Sequence, residues 1–302
     1  MTASLCTVFG GTGYLGSAII RRLLAQGWQV RIAARRPVPP EHGGSAVQSA
    51  PCDVRDPGSV AAALEGARAA VNAVSLYVER RGADSFQSIH VDGARNVARA
   101  AREHRLAALV HVSGIGADPR SASRYVAARG RGEAAVREAM PEAILLRPSV
   151  LFGSGDAFLR TLHGLTRLPV VPLFGDGSTR LQPVHVDDVA AATSQALTAA
   201  GTAGRVLELG GAGVYSYRDI LRRVMAARRR RRLLLPVPFA LWRALARACA
   251  VLPSPPLTLD QVLLMQQDNI VGSGVATFAE LDIAPRSLAE ALPACLDGDV
   301  QQ

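Results

Sequence analysis

The chain has 302 residues, 49% of them hydrophobic, with 34 basic and 25 acidic side chains and a net charge of +9. That length and balance suit one mid-sized globular α/β protein with ample core. The four cysteines (Cys6, Cys52, Cys249, Cys295) are scattered without metal-ligand spacing, so no metal site is expected and reduced thiols in the cytoplasm are the simplest reading. No secretory signal is expected ahead of a first strand that starts almost at Met1.

That strand, Leu5–Phe9, runs into Gly10-Gly11-Thr12-Gly13-Tyr14-Leu15-Gly16 and then a helix over Tyr14–Gln26. A glycine triplet between a buried strand and a helix N-terminus is the dinucleotide-binding arrangement. Gly10 allows the tight turn, Gly13 lets a pyrophosphate approach, and Gly16 lets the helix pack on the sheet. Helix N–H groups beside Thr12, Tyr14 and Leu15 then hold phosphate. A second strand, Trp28–Ala34, ends in Arg35-Arg36 with no acid nearby. Arginine there neutralises a 2′-phosphate, so NADP(H) is expected in preference to NAD(H).

Strands are further predicted at Ala46–Ala50, Ala69–Val74, Ala107–Val112 and Ala143–Leu146. Helices are predicted at Pro57–Leu64, Ala83–Glu103 and Ser121–Met140. Alternation at this spacing gives right-handed βαβ units and a Rossmann-type doubly wound parallel sheet. Ligands of such sheets bind past the carboxyl ends of the strands. Asp53-Val54 follows the third strand, where a carboxylate accepts from an adenine amino group. Ala73 and Val74 end the fourth, where small residues let the cofactor pass.

Residues 1–150 form the expected dinucleotide-binding domain. Residues 151–302 form a smaller, mainly helical subdomain on the substrate side, interleaved with the first as one compact unit. Phe174-Gly175-Asp176-Gly177 reads as a turn, with a short strand near Arg180 to Pro183. His185 is placed in a loop, and Asp187 or Asp188 is expected to cap a helix beginning near Val189. Arg228 to Arg232 are five consecutive arginines, followed by an amphipathic helix over Phe239–Leu252. Two prolines and two arginines interrupt the apolar run from Leu233 to Leu252, so membrane spanning is not expected. The segment suits an anionic membrane surface or a membrane-associated partner; its alternative is a core helix with a solvated arginine approach. Nucleic acid is disfavoured as a partner, because the arginines are spread over many helices and no stacking platform accompanies them.

The motifs Gly10–Gly16, Asp53-Val54, Val110-His111-Val112-Ser113, Tyr125–Arg129, Leu146-Arg147-Pro148-Ser149 and Pro183–Ala190 together resemble the extended and atypical short-chain dehydrogenase/reductases. Ile89–Asn96, Ser113–Tyr125 and Pro256–Asn269 are most similar to the group holding the nucleotide-binding accessory subunit of respiratory complex I and its bacterial relatives. The resemblance implies that Tyr125 and Pro148 lie against the cofactor. It also implies that Tyr125 is the proton donor or acceptor and Ser113 orients a carbonyl. In active members a lysine four residues after the tyrosine lowers its pKa; here that position is Arg129, one helical turn away. Arginine keeps the charge but is no substitute for an ammonium in a proton relay. The group therefore implies a weakly active or non-catalytic NADP(H)-binding accessory protein, cytoplasmic and peripheral on the inner face of the membrane. The alternatives are a free-standing NADP-dependent reductase or epimerase/dehydratase, and a nucleotide-regulated sensor or nucleic-acid-binding module.

Overall fold

The computed structural model describes residues 4–36, 44–79, 84–252 and 255–298. They divide into two units. The first runs to Arg147 and takes in Asp187–Glu208 and Gly274–Ile283; the second comprises Pro148–Val186, Leu209–Ser273 and the chain from Ala284.

The first unit begins with β1 (Leu5–Phe9), α1 (Tyr14–Ala25), β2 (Gln29–Ala34) and β3 (Val47–Pro51). Within β1, Cys6, Thr7, Val8 and Phe9 are fully buried, as expected for a strand covered on both faces. The Thr7 hydroxyl is satisfied by donating to the Ala63 carbonyl at 2.8 Å. Next, α2 (Pro57–Leu64) starts with Pro57 in its first turn and an Asp56 cap that accepts from the Gly58 and Ser59 amides. Then follow β4 (Ala69–Asn72), α3 (Ala94–Glu103), β5 (Ala108–Val112), α4 (Arg124–Ala139) and β6 (Ile144–Pro148).

The helix expected over Ala83–Glu103 is divided. Ala83 lies outside the described residues, Gln87–Gly93 is a π-helix, and only Ala94–Glu103 is α-helical. Tertiary packing overrides the local period here. The wide turn brings the His90 carbonyl oxygen to 2.1 Å from where a Cβ on Gly132 of α4 would stand. Only glycine fits that approach, and it seats α4 against the π-turn.

Past β6 the chain forms β7 (Leu151–Phe152), α5 (Ala157–Leu165), β8 (Val170–Phe174), β9 (Arg180–Leu181) and β10 (Val184–His185). It continues with α6 (Val186–Ala196), β11 (Val206–Leu209), β12 (Tyr215–Ser216), α7 (Tyr217–Ala227), β13 (Leu233–Val237) and α8 (Phe239–Cys249), then α9 (Leu259–Leu264) and α10 (Leu288–Gly298). In the second unit β13 pairs in parallel with β8, over a core that includes Phe152, Leu159, Leu162, Leu173, Leu221 and Leu292.

Two local expectations are corrected. His185 is a buried strand residue paired through β7, not a loop residue, with its ring edge 5.2 Å from Phe152 and Nδ1 3.2 Å from Arg286. Because β10 runs straight into α6, that helix starts at Val186. Asp187 and Asp188 thus lie in its first turn, favoured by the positive end of the helix, and neither is its cap.

The main sheet has the order β11-β6-β5-β4-β1-β2-β3. The pairs from β3 to β6 are parallel, and β11 follows suit, since Leu145 N bonds Arg205 O and Ser149 N bonds Leu209 O. The chain leaves β1 in one direction toward β2 and β3 and in the other toward β4. The carboxyl ends of β1 and β4 therefore border the crevice where such sheets bind ligands.

Beneath this sheet Arg147 reaches Glu133 through two bonds of 2.9 and 2.6 Å and Glu208 at 3.4 Å, with Glu133 buried. Removing one member leaves a half-buried charge undercompensated. Glu133→Ala should cost about 3 kcal/mol in urea denaturation, while Glu133→Gln should cost less because it keeps an acceptor. An unchanged midpoint in both variants would contradict this role.

Candidate functional site

The glycine loop is shaped by two close approaches. Gly10 has φ of +76°, and a Cβ there would meet the Ala73 carbonyl and Val74 nitrogen at 2.9 Å. A Cβ on Gly16 would stand 2.1 Å from the Gly10 carbonyl oxygen. The loop after β1 is thereby pressed onto the chain after β4, bringing Ala73 and Val74 to the glycines. Gly13 is the N-cap of α1, with no capping side chain, and the first helical bond runs from Ser17 N to Gly13 O at 2.9 Å. Thr12, Tyr14 and Leu15 sit at this end, where helix amides lack intrahelical acceptors. An uncapped N-terminus behind a glycine cradle fits a pyrophosphate.

At the ends of β2 and β3 the structure adds an acid that local sequence lacks. Arg35 bonds both oxygens of Asp84, at 3.1 and 3.0 Å. Asp84 also pairs with Arg55 at 3.2 Å. Arg55 in turn holds Asp53, with Nε at 2.9 Å and its backbone amide at 3.0 Å from one oxygen and Nη2 on the other. These bonds hold the Asp53 carboxyl below the usual carboxylate range. Arg36 is exposed and has no partner among the described residues. Val54 is buried; a Cβ on Gly93 would press on its side chain at 2.8 Å.

Tyr125 and Arg129 lie on α4, which Ser123 caps by accepting from Val126 N. Arg129 Nε donates to Tyr125 Oη at 2.8 Å, Nη1 to the Val112 carbonyl at 3.2 Å, and Nη2 to Ser75 Oγ at 2.8 Å. One guanidinium thus joins α4, the end of β5 and the chain after β4. Burial opposes its charge, but Tyr125, Tyr77 and Glu133 more than offset that, so it stays protonated. Burial pushes Tyr125 up to about 12 despite Arg129 beside it. At neutral pH the pair is a phenol and a guanidinium. Tyr125 can give a proton but is a poor base.

An aromatic enclosure surrounds that phenol. Tyr77 stacks on it at 5.5 Å, and Phe86 and His90 meet it edge-on at 5.7 and 5.6 Å. His90 is held through Nε2 by the Leu76 carbonyl at 2.9 Å. Ser113 follows β5, its amide bonded to Leu146 O at 2.7 Å. Its buried hydroxyl has no partner among the described residues, nor has His111 Nδ1. An orphaned hydroxyl beside this strand end fits a ligand carbonyl or hydroxyl. Pro148 ends β6 and belongs to the second unit.

Sequence reasoning missed Ser75, Tyr77, Asp84, Phe86, His90 and His111. His90, inside Ile89-His90-Val91-Asp92, and His111, inside Val110-His111-Val112-Ser113, carried a signal. The others have no local pattern.

A family model described as NAD dependent epimerase/dehydratase matches residues 6–210. The Arabidopsis thaliana protein "NADH dehydrogenase (ubiquinone) 1 alpha subcomplex subunit 9, mitochondrial" is 33% identical over 302 residues, covering 94% of this chain and 75% of that one. Ceramide reductase of Caulobacter vibrioides is 35% identical over 186 residues, 61% of this chain and 58% of that one. The Escherichia coli NADPH-dependent quinone oxidoreductase QOR2, solved with NADPH, aligns with a TM-score of 0.75. Its identity is 16%, over 96% of this chain and 99% of that one, so the likeness shows the fold.

Burial lowers both His90 and His111 to about 3, with Arg129 adding to the effect. Their folded pKa values lie below the unfolded value of about 6.5, so the unfolded chain takes up more protons as pH falls. Stability from these two groups is present above pH 6.5 and is lost toward their folded values. Urea midpoints should drop between about pH 6.5 and 5, with a slope of up to about 2.7 kcal/mol per pH unit. His111→Asn should flatten that slope; an identical slope in the variant would contradict the assignment.

Proposed function

This chain belongs to the NAD dependent epimerase/dehydratase family, and on that premise we propose that it is an NADP(H)-holding accessory protein of a membrane-bound NADH:quinone oxidoreductase type complex, with little or no turnover of its own. The observation that carries the reading is Arg129. It stands where active short-chain relatives use a lysine, and three of its donors are committed to Tyr125, Val112 and Ser75. A guanidinium so held stabilises the site as a scaffold and cannot pass a proton on. Extended similarity to a complex I subunit, over 94% of this chain, supports the same reading.

NADPH fits in preference to NADH through Arg36 and Arg35. The 2′-phosphate takes the place on Arg35 that Asp84 holds, and Arg36 adds a second cation. Gly10, Gly13 and Gly16 shape the pyrophosphate cradle with Thr12, Tyr14 and Leu15, while Ala73, Val74 and Tyr125 line the nicotinamide side. Asp53 and Val54 lie toward the adenine. Attachment is on the membrane side, peripheral and through Arg228–Leu252; among the described residues no helix is long and apolar enough to cross a bilayer.

A second reading, a free-standing NADP-dependent reductase, is favoured by the ceramide reductase relative and by the Tyr125 phenol. Bound NADPH supplies hydride chemistry. Tyr125 would then give its proton to a carbonyl oxygen oriented by Ser113 Oγ, with Arg129 stabilising the tyrosinate left behind.

Two measurements test the proposal, and the second separates the readings. Arg35→Ala together with Arg36→Ala should weaken NADPH binding by about 3 kcal/mol, roughly a hundredfold in Kd, and leave NADH nearly unchanged. Equal affinity of the native protein for both nucleotides would remove the NADP preference. Native mass spectrometry should find nucleotide retained by both the native protein and Tyr125→Phe, without carbonyl reduction by either. Robust reduction by the native protein, lost in Tyr125→Phe, would replace the accessory reading with the reductase.

A further inference from the structure

The positive charge of this protein has one address. Residues 218–252 hold ten arginines and one acid, Asp219, which accounts for the whole net excess of nine; the rest of the chain is balanced. In the second unit, the end of α7, the five-arginine turn and the start of β13 surround a cavity of about 980 Å³. Six guanidinium-bearing residues line it: Arg218, Arg222, Arg229, Arg230, Arg231 and Arg232.

The turn sorts its arginines by parity. Arg228 bonds the Leu296 carbonyl and Asp297, Arg230 bonds Thr166 Oγ1 at 3.0 Å, and Arg232 bonds the Thr166 carbonyl at 3.1 Å. Arg230 and Arg232 thereby close the C-terminal end of α5, where carbonyls want cations. Arg229 and Arg231 alternate with these three. Both are exposed, and neither side chain has a partner among the described residues.

Beside them lies apolar surface left in water. Leu233 of β13 is 65% exposed, and on α8 Leu241 is 60% exposed and Leu245 about half exposed. A spacing of four puts these last two on one helix face; α8 ends at Cys249, short of the expected Leu252, which lies half exposed in the turn beyond it. The adjoining face is anchored: Trp242 donates to the Leu173 carbonyl at 2.9 Å and lies 4.5 Å from the Phe174 ring. Arg243 and Arg247 punctuate the helix and also lack partners among the described residues. A cationic cavity whose wall includes the exposed Leu233 of β13, in a unit that also turns Leu241 and Leu245 of α8 outward, is the pattern of an interfacial element, with apolar side chains at acyl depth and arginines at the phosphates. A soluble anion would need no leucines, and a nucleic acid would need stacking rings, whereas Trp242 is already engaged.

We propose that the second unit carries a headgroup site for an anionic phospholipid, in which Arg229 and Arg231 take the phosphate and the exposed Leu241 and Leu245 of α8 enter the interface. This deepens the membrane-side attachment proposed above, and rests on that part of it alone.

The test uses the full chain and protein-free vesicles, so nucleotide binding and association with a complex play no part in it. The protein should float with phosphatidylcholine vesicles only when phosphatidylglycerol is included, and release as salt rises. Arg229→Gln with Arg231→Gln should weaken binding about thirtyfold, from roughly fivefold per surface arginine, with an unchanged melting temperature. Leu241→Gln with Leu245→Gln should also abolish flotation, and soluble glycerol phosphate should not compete. Equal binding to neutral vesicles, or full binding by the arginine variant, would overturn the site. Competition by glycerol phosphate would make it a soluble-anion site instead. Absent flotation in a protein that still associates with a membrane complex would reassign the surface to a protein partner, leaving the accessory reading intact.

Discussion

Arg129 is buried, and each of its bonds reaches a different part of the first unit: Tyr125 on its own helix, Val112 at the end of β5, and Ser75 after β4. A flexible ammonium there would be a mobile point charge; a planar guanidinium is a bracket with fixed directions. The bracket holds three segments together, and Tyr77 stacking on Tyr125 joins two of them again. It also contributes to the electrostatics of the neighbourhood: burial lowers the pKa of His90 and His111, and the buried cation adds to that effect. Burial still prevails at Tyr125, which remains a phenol.

Backbone approach does comparable work at the other end of the crevice. Gly16 admits the Gly10 carbonyl, and Gly10 admits the Ala73–Val74 peptide, so the loops after β1 and β4 form one surface. Gly132 plays the same part on α4, letting the π-turn that carries His90 lie against the helix that carries Tyr125. The site's geometry is thus held by places where side chains are missing as much as by those where they touch.

Charge is arranged differently in the two units. In the first, cations and anions form a closed chain, Arg35–Asp84–Arg55–Asp53, and a buried trio, Arg147 with Glu133 and Glu208. A surface network of that kind contributes little stability, but it defines what an incoming phosphate must displace. In the second unit three of the consecutive arginines are absorbed by α5 and α10, and their neighbours are left outward with the leucines of α8.

Local chemistry was enough to read the frame. Strands covered on both faces show as apolar runs, glycines mark the phosphate turn, and a spacing of four puts Tyr125 and Arg129 on one helix face. Expected strand and helix positions accordingly agree with the observed ones to within two residues for β1 to β5, α1 and α2. Three things lay beyond it. The π-turn exists because α4 presses on it, so a local 3.6-residue period could not reveal it. Asp84 reaches Arg35 across 49 residues, and Tyr77, Phe86 and His90 converge on Tyr125 from the chain beyond β4. The five arginines looked alike until the carbonyls of α5 and α10 claimed every second one. Sequence by itself determined which segments are strands and helices and which glycines admit a phosphate, because those follow from neighbours along the chain. Tertiary structure alone decided which charges are paired, which proton Tyr125 keeps and which leucines face water, because burial and pairing depend on groups the chain brings together only when folded.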